Sequence, residues 1–325
     1  MSYVLVAAGL VLLLVGGEAL VRGAVGLADR VGVSKLVIGL TVVAFGTSAP
    51  ELVVSVQAAL EGAPGIAIGN VVGSNIANVL LVIGLPALIA PFHCDQGAVN
   101  REGTWMVGAT LAMIAIAWWI GFNLWTGLAL FAMLLAFLLV TYRAARDGAG
   151  GSLLDEAEEL EATAPKSPMI LAGLLVVGIA ALVFGSDLLV DGARSIALSA
   201  GVPEEVVGVT LVALGTSLPE LATTVVAAFR KHGDIAIGNV IGSNIFNILG
   251  ILGITAMVKA VPVPEAMLRF DLWVMLGCGL LLFPFAWARL PVGRVAGSLF
   301  IVGYLMYVLA QFSGMSGMPM PHGGG

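Results

Sequence analysis

The feature that most restricts the fold of this chain is an internal repeat. With an offset of 169 residues and no gap, residues 39–84 match residues 208–253 at 26 of 46 positions. The sequence GLTVVAFGTSAPEL in the first copy becomes GVTLVALGTSLPEL in the second, and GNVVGSNIANVL becomes GNVIGSNIFNIL. Self-similarity of this extent indicates a duplicated structural unit. The two halves of the chain are therefore expected to share one architecture.

The composition of the chain that holds both copies is typical of a membrane protein. Of the 325 residues, 59% are hydrophobic and 10% are charged, whereas soluble domains average about 25% charged residues. A membrane-spanning helix needs about 20 apolar residues, and ten segments bounded by charges, glycines or prolines meet this requirement. They are predicted at 4–27, 36–60, 66–90, 104–120, 124–142, 169–190, 206–229, 235–258, 268–287 and 292–311.

The number of predicted spans determines how the halves are oriented. Because each half holds five helices, an odd number, the second half must enter the membrane from the opposite side. The sequence thus predicts an all-α polytopic membrane protein built from two inverted five-helix repeats, residues 1–142 and 168–325, with a short disordered C-terminal tail. Inverted repeats place substrate and ion sites near the bilayer midplane, where discontinuous helices meet.

The segment 143–167 joins the two repeats. It is rich in glycine and carries five carboxylates between residues 155 and 161. Runs of like charge are typical of solvated segments, so we interpret it as a cytoplasmic linker, with a weak regulatory cation site as the alternative.

The basic residues predict the orientation in the membrane. With both termini outside, eleven of the fourteen Lys and Arg residues fall in loops or helix ends on the inside, and three, Arg194, Lys259 and Arg269, fall outside. This distribution satisfies the positive-inside rule, which the opposite orientation would invert. We therefore expect a protein of the cell (inner) membrane with both termini outside and the linker in the cytoplasm.

Composition excludes several functions. A net charge of −6 leaves no basic face for nucleic acid. The two cysteines, Cys94 and Cys278, form neither a disulfide framework nor a CxxC pair of the kind found in metal and redox sites. No bound cofactor is expected.

Each copy of the repeat places one carboxylate inside a predicted span. Glu51 is the only ionisable residue of the second span, and Glu220 is the only one of the seventh. A carboxylate at this depth is costly and by default marks an ion or proton pathway. Each follows a proline, Pro50 or Pro219, which removes an intrahelical hydrogen bond and frees a carbonyl four residues earlier. A bound cation would satisfy such a carbonyl.

Neutral polar residues accompany each carboxylate. Thr47 and Ser48 precede Glu51 by four and three residues, a spacing that places side chains on one helical face, and Thr216 and Ser217 repeat this arrangement. The following helix of each copy carries no charge but has a polar residue every fourth position: Asn70, Ser74 and Asn78, and then Asn239, Ser243 and Asn247.

Two asparagines, Asn75 and Asn244, lie to the side of these polar rows. A role in the ion site and a role in helix–helix packing are equally compatible with them. In packing, amide side chains join neighbouring helices.

The ligand types favour particular ions. The predicted centre offers carboxylates, hydroxyls, amides and carbonyls, without thiolate or imidazole. These hard oxygen ligands suit sodium and calcium and disfavour soft transition metals. Two carboxylates can neutralise one divalent cation or compete for it with monovalent ions, which is the basis of exchange.

The paired GTSxPE and GNxxGSNxxN segments, in a five-plus-five inverted arrangement, resemble the alpha repeats of the sodium/calcium exchanger family within the cation/calcium antiporters. The resemblance covers nearly the whole chain and indicates a prokaryotic member. It implies that Glu51 and Glu220 bind calcium and help to hold sodium, and that the first helix of each half slides as a gate. It further implies ligands from backbone carbonyls, serine hydroxyls and amides at Thr47, Thr216, Ala44, Ala213, Ser48, Ser217, Ser74, Ser243, Asn78 and Asn247.

One departure from the family pattern bears on the coupling ion. Some prokaryotic relatives carry an aspartate at one of the last two amide positions, whereas this chain has asparagine at both, Asn78 and Asn247. The centre then holds two formal negative charges rather than three. This fits calcium exchanged for sodium without a third, proton-accepting carboxylate, and it disfavours the potassium-dependent branch.

The sequence therefore predicts a secondary active antiporter that exchanges sodium for calcium by alternating access and functions as a monomer in the lipid bilayer. The nearest alternative is a proton/calcium antiporter on the same fold, since buried glutamates can also take protons. A passive channel is less compatible, because channels gather their filters from rings of subunits.

An intramembrane hydrolase is the alternative from another class. Its nucleophile would be Ser48 or Ser217, and it would need a general base. His93, His232 and His322 all fall at predicted loop or tail positions, so no Ser–His pair is expected at membrane depth.

Overall fold

The structure is a computed structural model that describes residues 2–32, 35–93, 97, 99–146, 167–199 and 215–312. Most of the predicted linker, the predicted C-terminal tail, the start of the predicted seventh span and Ala213 lie outside these ranges. The helices are α1 Ser2–Val31, α2 Gly39–Thr47, α3 Ala49–Leu60, α4 Pro64–Ile89, α5 Thr104–Trp119, α6 Leu124–Arg146, α7 Pro168–Ser199, α8 Leu218–Phe229, α9 Gly233–Val258, α10 Met267–Trp287 and α11 Arg294–Phe312.

Length and apolar composition identify the membrane-crossing helices. Seven of them, α1, α4, α6, α7, α9, α10 and α11, are long and apolar enough to cross a bilayer, and the bent pair of α2 and α3 makes an eighth. Helices α5 and α8 are shorter, with 16 and 12 residues. The molecule is accordingly an all-helical multi-pass membrane protein.

Helices α1 and α7 extend beyond the predicted spans 4–27 and 169–190. Their 30 and 32 residues correspond to about 45 and 48 Å at 1.5 Å per residue, against about 30 Å for the hydrocarbon core. The prediction ended each span where polar and charged residues begin. The backbone stays helical there, because these residues tolerate a helix even though they do not suit lipid.

Glycines allow α1 and α7 to approach each other closely. A Cβ atom at Gly9 would lie 2.7 Å from the Gly185 carbonyl oxygen, and one at Gly16 would lie 2.9 Å from the Gly178 carbonyl oxygen. Small residues that bring backbones together are typical of helix pairs in membranes. Because early residues of α1 meet late residues of α7, the two helices run antiparallel. We call this contact the glycine seam.

The two halves interlock instead of packing as separate bodies. Near the end of α4, a Cβ at Gly84 would lie 3.2 Å from the Gly297 carbonyl oxygen of α11, and a Cβ at Gly253 in α9 would lie 3.2 Å from the Gly127 carbonyl oxygen of α6. A short antiparallel pair of strands, Phe92–His93 and Pro291–Val292, also joins the halves. The last helix of the second half, α11, therefore packs against α4 of the first half. The last helix of the first half, α6, packs against α9 of the second half.

The repeat helices α4 and α9 form the centre of the molecule. Every residue from Ile235 to Leu252 in α9 is buried, whereas α1, α6, α7 and α11 expose many large apolar side chains on their outer faces. Both central helices contain a π-helical stretch, Asn78–Val82 in α4 and Phe246–Leu252 in α9. Such insertions are frequent at functional sites, and here each begins at or beside a repeat asparagine.

The glycine seam generates a first prediction. Gly178→Ala would place a Cβ 2.7 Å from the Leu20 backbone nitrogen, so α1 and α7 would have to separate. We expect an overpacking loss of about 1–3 kcal/mol, measured as a lower unfolding temperature in detergent. Gly173→Ala on the same helix is the matched control, because a Cβ there meets nothing within 4 Å. Equal unfolding temperatures for the two variants would contradict the seam.

Candidate functional site

Each GTSxPE segment of the repeat contains a break in the helical backbone, at Ser48 in the first copy and at Ser217 in the second. Helices α2 and α3 are bent by 50° about Ser48, whose φ and ψ are −85° and 9°. Ser217, just before α8, has nearly the same angles, −88° and 2°. Pro50 and Pro219 follow in the first turn of α3 and α8, where a missing N–H is tolerated. The prolines therefore turn what would be one helix into a loop-like corner followed by a new helix start.

The two carboxylates sit at these new helix starts. Glu51 lies in the first turn of α3, and Glu220 lies in the first turn of α8. The unpaired N–H groups of a helix N-terminus favour a nearby negative charge. This local arrangement partly offsets the cost of placing a carboxylate in the interior.

Both carboxylates point to the same interior region. Glu51 is 2% exposed and Glu220 is 1% exposed, and they are close enough to interact electrostatically. The Ser48 hydroxyl donates to Glu220 Oε1 at 2.9 Å and lies 3.1 Å from Ser243 Oγ. The acids of the two halves thus meet at one centre and do not face lipid.

The contact between Ser48 and Glu220 adds a link that the sequence analysis did not contain. Spacing predicted that Ser48 shares a helical face with Glu51 of its own repeat. At the bend between α2 and α3, the Ser48 hydroxyl also bonds to the carboxylate of the other repeat.

Two asparagines hold the backbone that carries the acids. Asn70 Nδ2 donates to the Glu51 carbonyl at 3.2 Å and to Ser55 Oγ at 3.0 Å. The equivalent Asn239 Nδ2 donates to the Glu220 carbonyl at 3.4 Å and lies 3.1 Å from Thr224 Oγ1. Both asparagines belong to the predicted polar rows of α4 and α9, but the sequence did not reveal this supporting role.

The same asparagines link the two repeats. Thr47 Oγ1 donates to Asn239 Oδ1 at 3.3 Å, and Thr216 Oγ1 donates to Asn70 Oδ1 at 3.5 Å. Each amide therefore uses its nitrogen within its own repeat and its oxygen across the centre. If each residue is replaced by its equivalent 169 positions away in the other repeat, one bond becomes the other.

A second pair of amides joins α4 directly to α9. Asn78 Nδ2 donates to Asn244 Oδ1 at 3.0 Å, and Asn244 Nδ2 donates to the Asn75 carbonyl at 3.4 Å. These bonds agree with the helix-packing interpretation of Asn244. The Asn75 side chain instead donates to the Val71 carbonyl of its own helix at 2.6 Å.

One carbonyl freed by proline has a partner in the second half. The Gly215 carbonyl, four residues before Pro219, accepts a 2.5 Å hydrogen bond from Ser186 Oγ of α7. The position equivalent to Ser186 in α1 is Gly17, which has no hydroxyl to donate to Gly46. The two halves thus differ in whether the long first helix offers a hydroxyl to the carbonyl freed by proline.

Several oxygen atoms of the acids and of other repeat-motif side chains have no hydrogen-bond partner. They belong to buried side chains of the described residues, and leaving such a group unpaired costs about 1–3 kcal/mol. These oxygens are available to a ligand. They are Glu51 Oε2, Glu220 Oε2, Ser217 Oγ, Asn78 Oδ1 and Asn247 Oδ1.

All the predicted ligand residues that the structure describes are buried. The set is Ala44, Thr47, Ser48, Glu51, Ser74, Asn78, Thr216, Ser217, Glu220, Ser243 and Asn247. Ala213 lies outside the described residues. The Ala44 carbonyl already accepts a bond from the Ser48 N–H at 3.1 Å, and its oxygen lies 3.3 Å from Thr47 Oγ1.

Comparison with known proteins identifies the family to which this architecture and site belong. The chain matches the model of the sodium/calcium exchanger protein family over residues 1–143 and 170–313.

The chain belongs to the sodium/calcium exchanger family.

Individual family members match over almost the whole chain. The sodium/calcium exchanger MaX1 of Methanosarcina acetivorans is 33% identical, with 96% of this chain and 98% of MaX1 covered. A solved structure of the sodium-calcium exchanger NCX_Mj is 34% identical and has a TM-score of 0.82, with 95% of this chain and 98% of that chain covered. The Ca(2+)/H(+) antiporter ChaA of Bacillus subtilis is more distant, at 28% identity over 64% of this chain and 63% of ChaA.

This exchanger-family chain has a second pair of buried acids that the sequence analysis did not single out. Glu102 is 0% exposed and Asp271 is 1% exposed. The two positions are separated by 169 residues, the offset of the repeat. That equivalence was the available signal, but the motif comparison stopped before these residues.

The unequal hydrogen bonding of the two motif serines gives a second prediction. In ion-free detergent solution, Ser48→Ala should lower the free energy of unfolding by about 1.5–3 kcal/mol, the range for a hydrogen bond to a charged group. The matched control Ser217→Ala removes a hydroxyl without a partner and should change it little. Denaturation measured with chelator and without sodium tests this, and similar losses in both variants would refute the asymmetry.

Proposed function

We propose that this chain is a secondary active antiporter that exchanges sodium for calcium across the membrane by alternating access. The observation that carries the proposal is the meeting of two buried carboxylates, one from each repeat, in a shell of neutral oxygen atoms. Sodium and calcium are the substrates in this proposal, and no other cofactor is needed.

The donor set fits these ions. Calcium takes six to eight oxygen ligands, and Glu51 and Glu220 supply two negative charges that balance it. The unpartnered oxygens at the centre are hard ligands of the same kind. We propose that the neutral ligands are the side chains or backbone carbonyls of Ala44, Thr47, Ser48, Ser74, Asn78, Ala213, Thr216, Ser217, Ser243 and Asn247.

Exchange follows from sharing the carboxylates. A calcium ion and a set of sodium ions both need the charge of Glu51 and Glu220, so they cannot occupy the centre together. Binding of one ion from one side therefore requires release of the other ion, and alternating access converts this competition into antiport.

We propose ten spans in two inverted repeats as the architecture of this antiporter. Helix α5 and the segment that ends in α8 would be the ninth and tenth spans beside the eight candidates of the described ranges. The antiparallel α1 and α7 support inversion. Their contacts do as well, since adding or subtracting 169 turns the pair Gly16 and Gly178 into the pair Gly185 and Gly9, which is also in contact.

The proposed location is the cell (inner) membrane, with both termini outside and the linker 143–167 in the cytoplasm. The repeats 1–142 and 168–325 would act together as a single functional unit. One chain contributes both acids, which supports a monomer as the transporting unit.

The glycine seam supports α1 and α7 as the moving gate. Backbone contacts at glycines leave few interdigitated side chains between the helices, so the pair can shift along its axis with little repacking. In the proposed cycle, sodium loads the centre from outside, the gate helices shift, and calcium leaves in the opposite direction.

A proton/calcium antiporter is the second candidate function. The relative ChaA is named as such, and the unpartnered Oε2 atoms of Glu51 and Glu220 could carry protons. The uncharged Asn78 and Asn247 favour sodium, because a third carboxylate that could cycle a proton is missing from those two positions.

Neutralising either acid tests the site. We expect Glu51→Gln or Glu220→Gln to lower sodium-driven calcium uptake into vesicles more than tenfold. The loss of one of two ligand charges should cost well over the ~1.4 kcal/mol that a factor of ten represents. Glu265→Gln is the control, because this acid is exposed and forms an ion pair with the exposed Arg269. Unchanged uptake in both site variants would overturn the assignment.

Replacement of the driving ion separates the two candidate functions. With sodium exchanged for an impermeant organic cation and a pH gradient imposed, calcium uptake should disappear if sodium is the coupling ion. Uptake that persists under the pH gradient, and that Glu51→Gln abolishes, would assign the centre to proton/calcium exchange.

A further inference from the structure

The buried acids Glu102 and Asp271 lie outside the proposed ion centre. Each belongs to a π-helical turn at the start of a helix, Val99–Gly103 before α5 and Met267–Asp271 in α10. They occupy equivalent positions of the two repeats, but their surroundings differ.

Glu102 is neutralised by a neighbouring cation. Arg101 Nε donates to both carboxylate oxygens of Glu102 at 2.8 Å, and its Nη2 lies 2.6 Å from Oε1. The guanidinium thus pairs with the charge of this buried carboxylate through both of its oxygens. The position equivalent to Arg101 in the second repeat is Phe270. Asp271 therefore has no arginine at that position to pair with.

Asp271 is instead held by neutral groups of α11. Tyr307 donates its hydroxyl proton to Asp271 Oδ1 at 3.0 Å, and Gln311 Nε2 donates to the same oxygen at 2.5 Å. Two acceptor atoms then lack a hydrogen-bond partner among the described residues, Asp271 Oδ2 and Gln311 Oε1, and both are shielded from solvent.

The other titratable groups near this cluster do not neutralise Asp271. Tyr304 and Cys278 interact electrostatically with Tyr307, but neither carries a positive charge. Arg269, two residues before Asp271, is exposed and paired with Glu265. Helix α5, which also contacts this turn, has no titratable side chain between Thr104 and Trp119.

A single proton would satisfy both unpartnered atoms. A protonated carboxyl and an amide can form a cyclic pair in which the amide N–H donates to one carboxyl oxygen and the carboxyl O–H donates to the amide oxygen. The bond from Gln311 Nε2 to Asp271 Oδ1 is one arm of such a pair, and the two unpartnered atoms are those that the second arm would join. The cluster offers too few oxygens for calcium, which takes six to eight.

We propose that Asp271 is a proton-binding site separate from the ion centre. The folded protein keeps Asp271 protonated at neutral pH, paired with Gln311, and this pair fastens the end of α11 to the start of α10. An unfolded aspartate ionises near pH 3.9, so at neutral pH the folded state holds one more proton than the unfolded state. Stability should therefore fall as the pH rises.

Asp271→Asn tests this proposal, because asparagine imitates the protonated carboxyl in shape and can donate to Gln311 Oε1. We expect the purified full chain in detergent to unfold at or above the wild-type temperature at pH 7. Its unfolding temperature should also decrease less than that of the wild type between neutral and alkaline pH. Other titrating groups, including Glu51 and Glu220, are common to both chains, so the difference reports Asp271.

The repeat provides a matched comparison in Glu102→Gln. This variant removes the negative charge that pairs with Arg101, so it should unfold at a clearly lower temperature than the wild type. Destabilisation of Asp271→Asn to a similar degree, or its failure to fold, would show that Asp271 is needed as an anion and would overturn the proposal. A sodium-dependent stabilisation of the wild type that Asp271→Asn lacks would overturn it as well, by assigning the site to a metal cation.

Discussion

The structure depends on how it accommodates two carboxylates in a low-dielectric interior. An unpaired charge at membrane depth is unstable unless fixed dipoles or counterions surround it. The prolines at positions 50 and 219 provide the first dipoles, because they force a new helix to begin where each acid lies. The asparagines at 70 and 239 then fix the backbone of each acid, and Ser48 reaches one carboxylate from the opposite repeat. The centre is thus built from backbone breaks as much as from side chains.

The sequence predicted the part of this centre that is encoded locally. The proline before each glutamate, the serine at each corner and the polar rows of the next helix all follow from short spacings in the repeat. The family, the helical membrane fold and the burial of the described ligand residues agree with those predictions. The count of ten spans and the roles of individual ligands stay predictions.

What the sequence did not reveal depends on contacts between distant residues. Ser48 meets Glu220 across 172 positions, and no helical spacing rule extends over a bend to another helix. The partners of Asp271 are 36 and 40 residues away on a different helix. The full lengths of α1 and α7 were missed for another reason, since hydropathy reports where lipid ends and not where a helix ends.

The glycine seam has a consequence for how the two repeats respond to substitution. The contacts of Gly9 with Gly185 and of Gly16 with Gly178 involve equivalent positions of the two repeats, 169 residues apart. A single substitution in this chain changes one of these contacts and leaves the other as it is. The repeats can therefore carry different residues at equivalent positions, as they do at Gly17 and Ser186 and at Arg101 and Phe270.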